Sequence, residues 1–298
     1  MEVMGLTEET YPYEKPKRSP LKAIIGVLLS AVFFTVTIAL SREASARSSV
    51  PTVLFFQYLI SMIFTLPFMI KGGKKNFKMS KVGAILIRSI AGYLNFAFVF
   101  LAIQKTSLVN VVLLNNSAPL FIPLIIWFWK RKKLKWPLWL GMIIGFIGIA
   151  IILKPNHEII KFGGLYGLGS AFCLAISMIA QRRLAKKERI QTVLFYYFLI
   201  STIISIPFTI DTWQAINRDT FWLLVLIGCL FAVGQNLFLR ACRYEKPSIL
   251  SSFNYSAVVY GVLIQWFFWN NFPSITDIIG ILVVCTGGIV TILYSRRV

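Results

Sequence analysis

TVLFFQYLISMIFTLPFMI at residues 52–70 returns as TVLFYYFLISTIISIPFTI at residues 192–210, with 11 of 19 positions identical. Each copy is long enough to cross the roughly 30 Å hydrocarbon core of a bilayer, which takes about 20 residues of helix. Neither copy shows the alternating ~10-residue pattern of a transmembrane barrel strand, so helix is the conformation that satisfies the backbone in lipid. The rest of the chain is of the same kind. It is 57% hydrophobic and 15% aromatic, with a mean hydropathy of +0.73, against an apolar usage of about 45–50% in soluble domains. Apolar runs separated by short basic or Pro/Gly-containing breaks predict ten spans, near 22–40, 51–70, 82–103, 108–129, 136–153, 163–181, 191–210, 220–240, 247–269 and 274–294. No stretch is left for a separate soluble domain.

The duplication runs well past the opening segment. An offset of 139 pairs Ala102 with Ala241, Asn115 with Asn254, Ser117 with Ser256, Trp127 with Trp266, Gly141 with Gly280 and Gly148 with Gly287. The unit is five helices, repeated. Because five is odd, the second copy crosses the membrane in the opposite sense, which is a recurring plan of secondary transporters with substrate near the midplane. The predicted fold is an all-α membrane protein of ten transmembrane helices in two inverted five-helix repeats. Its predicted parts are an N-terminal tail over 1–21, a first repeat over 22–153, a connecting outer loop over 154–162, a second repeat over 163–294 and a C-terminal tail over 295–298. Two copies of one structure facing opposite ways can exchange conformations, giving inward-open and outward-open states of similar energy. A duplicated bundle without a transport role is the plainer alternative.

The formal net charge is +20, and its placement says what it is for. With the N-terminus inside, the cytoplasmic tails and loops hold 24 Lys and Arg and the outer loops 6, with Arg88 left inside a span. That asymmetry predicts a multi-pass protein of the cell (inner) membrane with both termini cytoplasmic. The basic excess serves topology and attraction to anionic lipid head groups, and nucleic acid is excluded as a partner. Glu2, Glu8, Glu9 and Glu14 precede Lys15, Lys17 and Arg18, and no small-residue cleavage site follows the first apolar run, so the opening residues read as a cytosolic tail and not a signal peptide. Cys173, Cys229, Cys242 and Cys285 are too scattered for a metal site and read as small packing residues.

The two halves, Arg88 early in the third span, the run from Ala102 through Pro119 to Gly141 and its echo from Ala241 to Gly280 together resemble the drug/metabolite transporter superfamily, in its EamA-type ten-helix branch, over nearly the whole chain. The resemblance implies alternating access without a catalytic centre, for amino acids, nucleotide sugars, other metabolites or drugs. It departs at one point: such proteins often place a Glu at the cytoplasmic end of the fourth span and the matching end of the ninth, where this chain has Lys132 and Asn271. LKP at 153–155 and LFY at 194–196 carry a fainter likeness to S-adenosylmethionine uptake carriers, which makes a nucleotide-like metabolite the alternative substrate.

Polar residues inside spans are costly and face a cavity or a neighbouring helix. Ser30, Thr37 and Ser41 recur on one face of the first span, and Ser170, Ser177 and Gln181 on the matching face of the sixth. These stripes line one cavity, or bond their own helix backbone. Asn115 and Asn254 fall on opposite sides of the midplane, each about 5 Å from it at 1.5 Å rise per residue; they contact substrate or tie helices together. Asn116 and Tyr255 are the less symmetric members beside them, placed to set selectivity. Pro119 and Pro123 would kink the fourth span and free backbone carbonyls. Arg88, with Gly92 and Asn95 on its face, either snorkels to the head groups or binds a substrate carboxylate or phosphate. Gln235 and Asn236 add amides near mid-depth, and Tyr93, Tyr196, Tyr197, Tyr260 and Trp266 are available for stacking, interface anchoring or packing. Gly141, Gly145 and Gly148 have the spacing of close helix contact, within the bundle or at a dimer face. The substrate-binding candidates are therefore Ser30, Thr37, Arg88, Asn95, Asn115, Asn116, Ser177, Gln235, Asn254 and Tyr255.

All eleven Asp and Glu lie in tails, loops or span edges, and the single His, His157, is in an outer loop. A carboxylate proton relay in the membrane has no evident members, and a Ser-His or metal-dependent hydrolase has no buried His to serve it. The expectation is a carrier of a small polar or amphipathic metabolite (an amino acid or a related compound), not an enzyme, without cofactor or metal. Its partners are the substrate and membrane lipids, and it is a monomer or a weak homodimer. The rival of another class is a membrane enzyme or lipid-handling protein.

Overall fold

The computed structural model describes residues 20–130, 136–153, 163–244, 256–270 and 274–295. Among them every regular element is a helix: α1 (Pro20–Arg47), α2 (Val50–Lys71), α3 (Lys74–Phe77), α4 (Val82–Ile103), α5 (Leu108–Asn115), α6 (Ala118–Lys130), α7 (Trp136–Leu153), α8 (Gly163–Lys187), α9 (Ile190–Asp211), α10 (Arg218–Tyr244), α11 (Ser256–Trp269) and α12 (Ile275–Ser295). Six of these, α1, α2, α4, α8, α9 and α10, are long and apolar enough to cross a membrane. Large apolar side chains cover the outside, with Phe128 and Phe267 each 84% exposed, whereas Thr37, Gln57, Ser61 and Ser170 are fully buried. A hydrophobic exterior around a partly polar interior is what a lipid solvent selects. The protein is a multi-pass membrane protein.

The ends of several helices are set by short polar signals. Ser49 caps α2, its Oγ accepting from Thr52 N at 3.4 Å, with Pro51 in the first turn where a missing N–H is harmless. Ser107 caps α5 in the same way, accepting from Asn110 N at 3.3 Å. Gly73, at φ 63°, makes the left-handed turn from α2 into α3. α1 and α8 run past the predicted spans because helix does not end where hydrophobicity does. The segments SREASAR and QRRLAKK carry the helices on into the interface.

Two differences from the sequence expectation matter. α3 is an additional short helix. The expected single span at 108–129 is two helices, broken at Asn116 and Ser117. Asn116 N keeps its helical acceptor, Val112 O, at 3.0 Å, but Ser117 N turns to Leu114 O at 3.1 Å, three residues back, and Ser117 Oγ donates to the same carbonyl at 2.6 Å, so the next turn loses that acceptor. Pro119 follows with no N–H for Asn115 O. The break thus falls two residues ahead of the proline singled out above.

Packing pairs the helices selectively. α1 lies along α10 and α4 along α8; α2 lies along α9 and α7 along α12; α5 and α6 rest on α8, and α11 on α1. Exchanging the first half of the chain for the second turns α1–α10 into α8–α4 and leaves α2–α9 and α7–α12 as they are, so the set of pairs is unchanged. The glycine stripe of α7 is a helix contact inside the bundle, since a Cβ at Gly287 of α12 would strike the backbone of Gly145 and Gly141.

Candidate functional site

A cavity of about 70 Å³ lies where α1, α4, α5, α8, α9 and α10 meet, with Ala257 of α11 at its edge. Its first wall is α4. Arg88, Gly92, Asn95 and Phe96 follow one another at helical spacing along it. Arg88 is only 2% exposed, so it does not snorkel to the head groups. The side chain is held inward by partners from three helices: Nη1 donates to Ser177 Oγ at 2.8 Å, Nη2 donates to Gln235 Oε1 at 2.9 Å, and the guanidinium carbon sits 4.2 Å from the ring centre of Tyr197. Ser177 also donates back to the Arg88 carbonyl at 3.4 Å. Gly92 lets Tyr197 come this close, because a Cβ there would lie 2.7 Å from the ring. The Tyr197 hydroxyl meets that of Tyr58 at 3.3 Å.

All these partners are neutral. Burying a cation costs several kcal/mol even after relaxation. Hydrogen bonds to a charged group return about 1.5–3 kcal/mol each, and a desolvated cation–π contact about 2 kcal/mol. The neutral cage therefore offsets much of the cost without cancelling the charge. No Asp or Glu stands among the described residues lining the cavity.

About two helical turns from Arg88, Asn95 Nδ2 donates to Asn115 Oδ1 at 2.6 Å and to Ser170 O at 2.9 Å. Asn115 is thus a tie between α5 and α4 as well as a lining residue. Asn116 lines the cavity from the helix break, and Gln181 from α8. Two buried donors here have no acceptor: Arg88 Nε and Gln181 Nε2. The remaining wall is aromatic. Phe34, Phe96 and Phe238 line it, with ring centres of Phe34 and Phe96 6.5 Å apart and of Phe34 and Phe238 6.3 Å apart.

Six sequence candidates are brought together here: Arg88, Asn95, Asn115, Asn116, Ser177 and Gln235. Ser30 and Thr37 are not among the lining residues. Their hydroxyls bond their own helix, to Val27 O at 2.8 Å and Phe33 O at 2.7 Å, while Thr35 of the same helix does line the cavity. Asn254 and Tyr255 lie outside the described residues. Gln181, on the polar stripe of the sixth span, and Tyr197, one of the tyrosines available for stacking, line the cavity although neither was among the ten binding candidates; Phe34, Phe96 and Phe238 could not have been singled out among 25 phenylalanines. A second, more open crevice of about 430 Å³ lies at the far ends of the same helices, α1 and α4, lined by Arg42 and Lys105 among others.

Known transporters are similar to this chain in sequence. An S-adenosylmethionine uptake transporter of Rickettsia conorii is 24% identical over 93% of this chain and 94% of its own. A riboflavin transporter of Vibrio cholerae is 24% identical over 86% and 88%, and a pseudopaline exporter of Pseudomonas aeruginosa 25% identical over 88% and 94%. One solved crystal structure superposes with a TM-score of 0.65 at 17% identity, covering 92% of this chain and 98% of that one, which is a likeness of fold. The model of one family matches twice, over residues 21–154 and again over 161–293, which is the duplication read from the sequence. The chain belongs to the EamA-like transporter family, within the drug/metabolite transporter superfamily.

Proposed function

We propose that this chain is a secondary transporter that carries a small polar or amphipathic metabolite, an amino acid or a related compound, across the cell (inner) membrane. The observation that carries the reading is the cavity between the halves: α1, α4 and α5 line it from the first, and α8, α9, α10 and α11 from the second. Broken helices mark substrate sites in transporters because irregular backbone is tolerated at depth only beside a cavity, and the break at Asn116 lines this one. We read residues 22–153 and 163–294 as two inverted five-helix repeats, ten spans in all, with both termini cytoplasmic. The self-consistent helix pairing and the double family match support that reading.

A space of about 70 Å³ holds about two waters, whereas ligand pockets take about 300–1,000 Å³. The halves must therefore part to admit substrate, first on one side and then on the other. Such a device needs binding and motion but no catalytic group, so we read it as a carrier and not an enzyme. S-adenosylmethionine is a second reading, favoured by the Rickettsia relatives and by the aromatic wall, which suits an adenine ring or a sulfonium.

The test is counterflow into vesicles holding the purified chain, with radiolabelled amino acids and S-adenosylmethionine. Saturable exchange of one compound is expected. Leakage no faster than in empty vesicles for every compound, from protein that is folded and inserted, would remove the transport reading.

A further inference from the structure

We infer that Arg88 and Gln181 form the seat of a carboxylate on the transported molecule, so that the substrate class is amphipathic monocarboxylates. The inference rests on the transport reading and deepens it. Four features of the cavity lead to it. The guanidinium is buried beside neutral partners, with no acidic side chain among the described lining residues. Arg88 Nε and Gln181 Nε2 are buried donors without acceptors, and a planar carboxylate offers two acceptor oxygens and the missing charge at once. Arg88 is the one cation among the described lining residues, which balances a charge of −1 and leaves a phosphate dianion half uncompensated. Opposite this polar corner, Phe34, Phe96 and Phe238 provide an apolar wall for the rest of the molecule.

The outer crevice fits the same chemistry. Arg42 stands one turn beyond Ile38 on α1, and Lys105 follows the end of α4. Two cations at the far ends of the helices that line the cavity raise the local concentration of anions. Arg42 is held in place over the Trp269 ring at 5.0 Å.

The experiment uses the full chain in detergent and in vesicles. Probes are phenylacetate, L-phenylalanine, L-tryptophan and S-adenosylmethionine, each beside its carboxamide, with phenyl phosphate as the dianion. Thermal stabilisation by at least one acid is expected, with its amide about 10- to 150-fold weaker, the worth of one charge-assisted contact. Arg88→Gln should abolish the preference for acid over amide while the unliganded variant melts no lower than the parent, because an uncompensated charge has been removed. Arg88→Lys should keep a reduced preference, and Gln181→Met should weaken acid binding with little effect on the amide.

Equal binding of acid and amide, a preference for phenyl phosphate, or no stabilisation by any acid overturns the assignment. So does a lower melting point or failure to accumulate for unliganded Arg88→Gln, which makes Arg88 a structural tie. Counterflow of a neutral compound unaffected by Arg88→Gln rejects the carboxylate seat and leaves transport standing. Acid binding without counterflow rejects transport alone.

Discussion

Gly92 and Asn115 show how one atom can decide whether the cavity exists in its present form. A methyl group at position 92 would meet the Tyr197 ring at 2.7 Å, so Gly92→Ala should displace the ring and with it the stack on Arg88. Overpacking of this kind costs about 1–3 kcal/mol, and the expected outcome is a lower melting temperature together with weaker substrate binding. Tyr197→Phe should be milder, since it keeps the ring and loses only the contact with the Tyr58 hydroxyl. Asn115→Ala tests a different balance. Asn95 donates to both Asn115 and Ser170, so the change leaves a buried amide short of one partner, at about 1–3 kcal/mol. We expect detergent thermostability to fall by that amount. If substrate affinity falls with it, Asn115 serves both roles; if affinity holds in the surviving protein, Asn115 is a tie alone and leaves the site.

Whole helices were legible in the sequence to different degrees, for physical reasons. The limits of α4 at 82–103 are those predicted, because Lys81 stands directly ahead of its apolar run and Gln104 and Lys105 directly after it. The break between α5 and α6 was not visible in hydropathy, since Asn116 and Ser117 interrupt an apolar run for only two residues; it comes from Ser117, whose N and Oγ both bond Leu114 O, and from the N–H that Pro119 lacks. The Glu188 contact was equally hidden, because it joins segments 108 positions apart. Its carboxylate, at the join of α8 and α9, accepts from Ser80 N at 2.8 Å, Ser80 Oγ at 2.6 Å and Lys81 N at 3.0 Å, just ahead of α4. An acid at a helix N-terminus also meets the positive end of the macrodipole. Position 48, which matches 188 under the 140-residue offset, is Ser, so this latch exists in one half only. Glu188→Ala should lower the melting temperature by the equivalent of about 1–3 kcal/mol, whereas Ser48→Ala should change it little. Equal effects at the two positions would contradict the asymmetry.

Energy coupling and orientation belong to the molecule taken together. With no Asp, Glu or His among the described residues lining the cavity, transport is expected to persist when the proton gradient is collapsed and substrate gradients are held. Strict dependence on inward proton flux would instead implicate Glu43, Asp211 or Asp277 at the span edges. Orientation follows from two independent arguments that one labelling experiment separates. Contacts in the fold put the α2–α4 connection beside the α8–α9 connection, because Arg189 Nη1 donates to Asn76 Oδ1 at 2.8 Å and Thr192 Oγ1 to Asn76 O at 2.7 Å. Ser49 and Thr212 meet at 3.0 Å at the opposite ends of α2 and α9. Charge supports the proposed assignment of the ends: the first pair of connections carries ten of the 24 Lys and Arg expected on the cytoplasmic side, and the positive-inside rule predicts that it faces the cytoplasm. In a background with the four native cysteines replaced, Lys78→Cys and Lys186→Cys should react with an impermeant maleimide only from the cytoplasmic side, and Arg47→Cys and Trp213→Cys only from outside. If Lys78 and Lys186 label from opposite faces, the helix pairing is wrong. If all four labels are exchanged, the pairing stands and the charge argument fails, so the pattern of labels identifies which of the two premises has to go.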